Sequence, residues 1–238
     1  MNQLNKEYLN LLLKSGVHTF QNDSPINFFN MHKKNGNEEV IEQKKDLDKI
    51  KNINELLVAL EAYDNPLKKT ANKLVFYDGN IESKIMFIGE APGKEEDESG
   101  KPFVGKAGQL LNKMLEAINL NRNEIYITNV IPWRPPNNRT PSEKEIIEFL
   151  PFLQKQIEII KPKYIFLLGA TAAKAILSTP LSLSKLRGKW HNYKSINTTN
   201  TINVLASYHP AYLLRSPQFK KEAWIDLKIL REKINNEN

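Results

Sequence analysis

The chain has 238 residues, 40% of them hydrophobic, which is enough for one full-sized domain with an appendage. It contains no cysteine, which excludes disulfides, thiol nucleophiles and every cysteine-ligated zinc or iron–sulfur site. The net charge of +7 favours, without establishing, a partner with a phosphate backbone. No apolar run approaches the ~20 residues of a membrane span, and Leu11 to Leu13 is too short for a signal peptide, so we expect a cytoplasmic protein without membrane contact.

The first 72 residues are rich in Asn, Lys and Glu and are predicted to form an N-terminal helical extension. Apolar spacing predicts helices over residues 2–14 and 46–62. Between them, residues 21–39 are polar and contain Pro25 and Gly36, which predicts a linker. A second unit, residues 73–238, is expected to be the catalytic-type domain.

Strand and helix patterns alternate from residue 73 onward, which is typical of a parallel sheet. Strands are predicted over residues 84–89, 125–129, 163–168 and 202–206, and helices over residues 107–119, 142–160, 170–177 and 218–234. The helix over 142–160 is expected to have Thr140 or Ser142 as its N-cap and Pro141 in its first turn. Four parallel strands wrapped by helices predict a three-layer α/β/α sandwich.

The loop after the first predicted strand is the most informative segment. It reads Gly89-Glu90-Ala91-Pro92-Gly93-Lys94-Glu95-Glu96-Asp97 and continues to Pro102-Phe103-Val104-Gly105. Its glycines allow a ligand to approach the backbone, and loops at the carboxyl ends of parallel strands are where ligands bind. Part of it approximates a phosphate-binding loop, but Ala107 stands where that loop needs Ser or Thr for magnesium.

Two further polar residues follow predicted strands. Asn129 closes the strand over 125–129, and His209 comes shortly after the strand over 202–206. Because the carboxyl ends of parallel strands share one edge, we expect both to meet the glycine loop. Structural alternatives remain for each: an Asn that ends a strand, a His that precedes a proline, and a Phe103 that only anchors its loop.

These segments together resemble the family 4 uracil-DNA glycosylases. The resemblance is carried by the glycine loop, by Thr128-Asn129 followed by Arg134-Pro135-Pro136-Asn137-Asn138-Arg139, and by His209-Pro210-Ala211-Tyr212-Leu213-Leu214-Arg215. It spans about residues 85–217 in three ordered motifs. It implies a uracil-DNA glycosylase-like fold with a four-stranded parallel sheet. The implied enzyme is a monofunctional hydrolase that removes uracil from single- or double-stranded DNA at the nucleoid and starts base excision repair.

The resemblance also implies a role for particular residues. Glu96, Asn138 and His209 are expected to be catalytic; Glu90, Ala91, Phe103 and Asn129 are expected to bind uracil; and Arg187, Lys189, Tyr212, Leu213, Leu214 and Arg215 are expected to contact DNA. His209 would donate to uracil O2, where charge develops, while Glu96 and Asn138 would orient water. Phe103 would stack on the base and Asn129 would pair with its amide edge.

Alternatives stay open at several of these positions. The acidic run around Glu96 is also typical of a solvated loop, Leu213 and Leu214 of helix packing, and Arg187 and Lys189 of a solvated surface. At the level of function, the alternative is a non-catalytic module that binds uracil or abasic DNA without turnover. A dinucleotide-binding oxidoreductase is disfavoured because the chain lacks the required glycine spacing.

Family 4 enzymes usually hold an iron–sulfur cluster on four cysteines. Trp133 and Phe149 stand where two of those cysteines are expected, and residues 65–69 also lack the remaining pair. We therefore expect a variant with no cluster and no metal, in which bulky apolar side chains fill the space. The protein is expected to be a monomer whose N-terminal region can recruit a replication or repair protein.

Overall fold

The computed structural model describes residues 47–194 and 201–236, so the predicted helix over 2–14 and the linker over 21–39 lie outside the described residues. Helix α1 (Ile53–Ala62) begins after Asn52, whose side chain accepts hydrogen bonds from the amides of Asn54 and Glu55. The helix predicted over 46–62 is therefore interrupted, because this cap starts a new helix. Leu56 and Leu60 of α1 are buried in the core. The division at residue 72 stays a prediction.

The sheet is mixed and has six strands among the described residues. They are β1 (Asp78–Gly79), β2 (Ile85–Gly89), β3 (Tyr126–Asn129), β4 (Tyr164–Leu168), β5 (Trp190–Lys194) and β6 (Thr201–Ser207), in the order β1-β3-β2-β4-β6-β5. The central four are parallel, as predicted, and β1 and β5 pair antiparallel at the two edges. The count of four strands was wrong because β1 has two residues and β5 is largely polar, so neither has the apolar run of a buried strand.

Helices cover both faces of this sheet. They are α2 (Lys94–Ser99), α3 (Lys106–Glu116), α4 (Glu143–Ile160), α5 (Ala170–Leu177), α6 (Leu183–Leu186), α7 (Pro210–Arg215) and α8 (Lys220–Asn235). Ser142 is the N-cap of α4 and accepts from the amide of Glu145, so Pro141 lies before the helix instead of in its first turn. No helix in the described part of the chain is long and apolar enough to span a bilayer.

Alternation along the central strands divides the core into two layers. Met86 and Ile88 of β2 pack with α1, α4 and α5 on one face, and Phe87 packs with α3 and α8 on the other. Since both faces are covered, the strands are apolar throughout, which is why their sequence signal is continuous. The α/β/α architecture is confirmed.

Candidate active site

A cavity of about 460 Å³ lies at the carboxyl edge of the parallel strands. Gly89 and Asn129 end β2 and β3 as register partners, and His209 precedes α7. The walls of the cavity include Arg215 and every residue predicted to be catalytic or to bind uracil. These predicted residues are Glu90, Ala91, Glu96, Phe103, Asn129, Asn138 and His209. The expected convergence of the three motifs at one sheet edge is therefore observed. The volume suits a small planar ligand.

Gly89 allows two of these side chains to meet. A Cβ atom placed on Gly89 would lie 2.4 Å from Oδ1 of Asn129 and 2.4 Å from Cζ of Phe103, so no larger residue fits. Asn129 is 6% exposed, and its buried Oδ1 has no hydrogen-bond partner among the described residues. A buried acceptor without a partner is costly unless a ligand supplies the donor.

Phe103 forms one wall of the cavity. Its ring is buried and lies 5.5 Å from the imidazole of His209, with 31° between the planes. Its backbone is in the left-handed region, with φ of 54°, which residues with a β carbon seldom adopt. A flat ligand that enters the cavity can therefore contact an apolar ring whose orientation is fixed by its backbone.

His209 is poised as a neutral hydrogen-bond donor. It is the N-cap of α7, and its Nδ1 accepts from the amide of Ala211 at 3.1 Å. The pKa of His209 is lowered to about 4, chiefly by burial and also by the positive charge of Arg215, while the negative charge of Glu96 opposes the shift. Because Nδ1 is an acceptor in a neutral ring, the proton is on Nε2. The ring can therefore offer an N–H to a ligand at neutral pH.

Glu96 is the central acceptor of the glycine loop. Its Oε1 accepts from the amides of Val104 and Gly105 at 3.0 and 2.9 Å, and its Oε2 accepts from the amide of Gly93 at 3.0 Å. These bonds join the start of α2 to the start of α3. The acidic run around Glu96 is thus helical, in contrast to the alternative of a solvated loop. Its role in orienting water stays a prediction.

Asn138 faces the cavity from the loop between β3 and α4. Both Asn137 and Asn138 have positive φ values, 56° and 54°. The Oδ1 of Asn138 accepts from Nε of Arg134 at 2.7 Å, and Arg134 also lies 3.9 Å from the buried carboxylate of Asp97. Asn138 is consequently oriented by Arg134, with its amide nitrogen left available for other partners.

Arg187 is a structural residue in this fold. Its guanidinium bonds to the buried Asp226 at 2.7 Å, lies 3.0 Å from Glu222 and covers the ring of Tyr208. Burial raises the pKa of Asp226, although hydrogen bonds from Ser207 and Arg187 and the charge of Arg187 oppose this. Arg187 is not among the residues that line the cavity, and its guanidinium bonds to Asp226 and to the carbonyl of Glu222. Its predicted contact with DNA stays a prediction.

The remaining candidates for DNA contact divide by exposure. Leu213 is 1% exposed and belongs to the core, whereas Leu214 is 42% exposed. Lys189 and Arg215 are exposed, and Tyr212 stacks on Tyr208 at 5.4 Å. The structure therefore gives Leu213 the packing role that the sequence left as an alternative.

Three residues that support the cavity were not predicted to do so. Thr171 at the start of α5 donates to the carboxylate of Glu90. Arg122 donates to the carbonyls of Pro102 and Phe103, and Arg134 orients Asn138. Thr171 and Arg122 lie outside the motifs, so the sequence carries no signal for them. Arg134 is inside a motif, but its contact with Asn138 forms only because Asn137 and Asn138 adopt a left-handed backbone conformation.

The positions where the family resemblance implies an iron–sulfur cluster form an aromatic layer. The ring centroids of Trp133 and Phe149 are 5.5 Å apart, and the rings of Tyr63 and Phe152 complete the layer with tilted and edge-on contacts. Next to this layer, the carboxylate of Glu148 accepts hydrogen bonds from the hydroxyl of Tyr63 at 2.7 Å and from the side-chain amide of Asn65 at 2.8 Å. These residues do not fit a cluster, since none supplies a thiolate. The described residues contain no group of three or more His, Asp or Glu placed to hold a metal.

The fold and the cavity define an α/β/α protein with a ligand-sized cavity, lined by an aromatic ring and by hydrogen-bonding side chains, at the carboxyl edge of its parallel strands. The sequence profile of the "Uracil DNA glycosylase superfamily" matches residues 76–228, and the chain belongs to this superfamily. The family resemblance drawn from the three motifs is confirmed.

Curated relatives carry the name type-4 uracil-DNA glycosylase. The one from Sulfurisphaera tokodaii is 44% identical over 65% of this chain and 72% of its own length. The one from Thermotoga maritima is 42% identical over 63% of this chain and 77% of its own length. The one from Archaeoglobus fulgidus is 41% identical over 70% of this chain and 84% of its own length.

Proposed function

We propose that this protein is a uracil-DNA glycosylase that hydrolyses the N-glycosidic bond of deoxyuridine in DNA and leaves an abasic site for base excision repair. The proposal rests above all on one observation. A single cavity places an aromatic ring, Phe103, an unpartnered amide acceptor, Asn129, and a neutral imidazole donor, His209, around one ligand-sized space. The names of the relatives give the same activity.

Recognition of the base follows from Phe103 and Asn129. An amide carries both an acceptor and donors, so Oδ1 of Asn129 accepts from N3–H of uracil while its nitrogen donates to O4. Cytosine has no proton on N3 and an amino group at position 4, so it mismatches both contacts. The base stacks on Phe103 after it is extracted from the helix.

Bond cleavage follows from His209. When the bond between C1′ and N1 breaks, its electron pair goes to uracil and the sugar becomes electron-poor. A hydrogen bond from Nε2–H of His209 to uracil O2 stabilises the developing anion without transferring a full charge. A neutral ring suits this role because it is present at physiological pH without having to lose a proton.

Water attack is assigned to Glu96 and Asn138. A carboxylate has about four lone-pair sites. Three backbone amides occupy three of them in Glu96, which leaves one on Oε2 to accept from water. The amide nitrogen of Asn138, whose oxygen is held by Arg134, donates to the same water. The water oxygen then bonds to C1′, and its proton leaves through Glu96 or solvent.

The DNA strand is expected to cross the rim of the cavity. Arg215 and Lys189 are exposed cations that can contact phosphates, and Leu214 is an exposed apolar side chain that can fill the space of the extracted base. Tyr212 is expected to support this rim through its stack on Tyr208. All groups of the cavity come from one chain, so a monomer suffices.

We further propose that catalysis needs no metal and that the aromatic layer replaces the cluster as the support of the cavity. Trp133 directly precedes Arg134, which orients Asn138. The layer is therefore connected through the chain to the loop that holds the water-orienting amide.

The test is a uracil-release assay in the presence of EDTA. Purified protein in excess is mixed with an end-labelled oligonucleotide that contains one uracil, and abasic product is revealed by alkali. We expect cleavage at the uracil, and a loss of about 100- to 1,000-fold in the rate for His209→Ala, as for removal of one anion-stabilising donor. Asn138→Ala should also be slow. The matched control is His191→Ala, since His191 lies on β5 outside the cavity.

The assay also separates the alternatives. Specific binding to the uracil oligonucleotide without cleavage would identify a module that recognises the damaged base without turnover. Equal rates for His209→Ala and His191→Ala would show that another group stabilises the leaving base. A protein that neither binds nor cleaves the uracil oligonucleotide would contradict the proposed function.

A further inference from the structure

Phe103 holds a conformation that its own side chain disfavours. Its φ of 54° lies in the left-handed region, where glycine and asparagine are common and an aromatic residue is not. Such a backbone persists only when its surroundings fix it. The groups that fix Phe103 therefore control where the cavity places its aromatic wall.

Arg122 fixes both peptide planes next to Phe103. Its Nη2 donates to the carbonyl of Pro102 at 2.5 Å, and its Nη1 donates to the carbonyl of Phe103 at 3.0 Å. The first carbonyl belongs to the plane before the Cα atom of Phe103, and the second to the plane after it. With both planes held, φ and ψ of Phe103 have little freedom left.

Arg122 is itself held in place. It lies in a 3₁₀ turn, Arg122–Glu124, just before β3, and its side chain is 18% exposed. Its Nε donates to Asp78 of β1 at 2.8 Å, and Nη1 also donates to Asn112 of α3 at 3.0 Å. Two sequence-distant elements, β1 and α3, thus orient the guanidinium, which presents its remaining donors to the loop of Phe103.

Gly108 closes the other side of the same carbonyl. A Cβ atom on Gly108 would lie 1.8 Å from the carbonyl oxygen of Phe103, so the loop rests directly on the backbone of α3. The carbonyl is therefore confined between the helix and the guanidinium. A lysine at position 122 has a single ammonium group and cannot reproduce the planar fork that reaches two carbonyls at once.

We infer that Arg122 is a positioning residue for uracil recognition: it holds Phe103 in the left-handed conformation that presents the ring to the base. The inference rests on the proposed function for the identity of the base. Its structural part, the dependence of the Phe103 conformation on Arg122, does not need that function.

The experiment combines a double-mutant cycle with crystal structures. Uracil release is measured for the wild type, Arg122→Lys, Phe103→Ala and the double variant, with inhibition by free uracil as a second reading of base binding. Loss of a stacking contact predicts a fall in kcat/KM of about 5- to 100-fold for Phe103→Ala. Arg122→Lys should fall by about 5- to 20-fold, and the double variant should match Phe103→Ala alone, because the lysine acts only through the ring.

Arg231→Lys is the matched control. It makes the same substitution in α8, at a residue that does not line the cavity. We expect its kcat/KM and its inhibition by uracil to stay within about twofold of the wild type, since the contacts of Arg122 with both carbonyls remain. Thermal melts of all variants confirm that each one is folded under the assay conditions.

Two results would overturn the inference. One is a double variant whose loss in kcat/KM equals the product of the two single losses, which would mean that Arg122 acts independently of Phe103. The other is a crystal structure of Arg122→Lys in which φ of Phe103 is unchanged. If the wild type releases no uracil, the proposed function fails, and the φ of Phe103 in the two crystal structures still decides the positioning role.

Discussion

The cavity and the aromatic layer of Trp133 and Phe149 are held together by different kinds of contact, although Trp133 directly precedes the loop that contains Asn138. Polar side chains of the cavity are fixed one by one, as Glu96 is by three backbone amides. In the aromatic layer, Trp133 and Phe149 are 2% and 1% exposed and pack ring against ring.

The difference shows which parts of the fold the chemistry constrains. The predicted residues that line the cavity lie in the family motifs, and the roles proposed for the polar ones each need a donor or acceptor at a given place. Residues of the aromatic layer need only fill space and exclude water, which rings do as well as a cluster bound by thiolates. We therefore expect mutations in the aromatic layer to lower stability and mutations in the cavity to lower turnover.

The largest expected effect comes from Trp133→Ala. Removing a fully buried Trp should lower the free energy of unfolding by about 3–5 kcal/mol, because the surrounding rings cannot close the space. Denaturant titration measures the loss. Val58→Ala is the matched control, since Val58 is 64% exposed, and it should cost less than about 0.5 kcal/mol.

Turnover by the folded fraction of Trp133→Ala sharpens the comparison. If the aromatic layer is only support, kcat per folded molecule should stay within about tenfold of the wild type, with the loss caused by a looser loop around Asn138. A loss as large as that of His209→Ala would show that the two regions are not separable.

The second prediction concerns pH. Since the pKa of His209 in the free protein is lowered to about 4, the ring stays neutral and active down to about pH 5, and kcat/KM should fall only as the pH approaches 4. A His209→Gln variant keeps a neutral donor that does not titrate. Its pH profile should therefore lack the fall that belongs to His209, and the difference between the two profiles reports the histidine alone. A wild-type midpoint near pH 6.5 would contradict the neutral state of the partly buried His209 ring.

The free energy of unfolding also depends on the protonation of His209. The pKa of His209 is lower in the folded than in the unfolded chain, so between about pH 6.5 and pH 4 the unfolded chain binds the proton more tightly. Stability therefore falls as the pH drops through this window. The fall contributed by His209 is on the order of 3 kcal/mol, seen as the difference between wild type and His209→Gln in acid unfolding curves.

Sequence patterns were sufficient for the central sheet and for the residues that line the cavity. Buried strands such as β2 and β4 are continuous apolar runs, and their parallel arrangement brings Gly89, Asn129 and His209 to one edge. Each element is specified locally, and topology then fixes their proximity. The same reasoning missed β5, because an edge strand with one exposed face carries a weaker pattern.

The sequence was insufficient wherever a role depends on a partner distant in the chain. Arg187 and Lys189 look alike as cations beside Gly188, yet Arg187 is only partly exposed because it pairs with Asp226 of α8, whereas Lys189 is exposed. Arg122 gives no signal at all, because its partners are backbone carbonyls that exist only once the loop of Phe103 is folded. Side-chain contacts of this kind need the tertiary structure.

The smallest expected effect separates two adjacent leucines. Leu214, which is 42% exposed on α7 next to the cavity-lining Arg215, should act as a wedge only when a base is extracted from a stacked duplex. Leu214→Ala should therefore slow uracil release from duplex DNA by about three- to tenfold and leave single-stranded DNA unaffected. Rates on paired oligonucleotides of identical sequence, with and without the complementary strand, measure the ratio.

Leu213→Ala is the counterpart, because Leu213 is 1% exposed and packs in the core. It should lower the free energy of unfolding by about 2–5 kcal/mol and affect both substrates equally. If Leu214→Ala slowed both substrates alike, the wedge would be wrong. If Leu213→Ala acted only on duplex DNA, the packing of α7 against the core would have to change on binding. In that case, the different exposure of these two leucines would no longer distinguish a residue that contacts DNA from one that packs in the core.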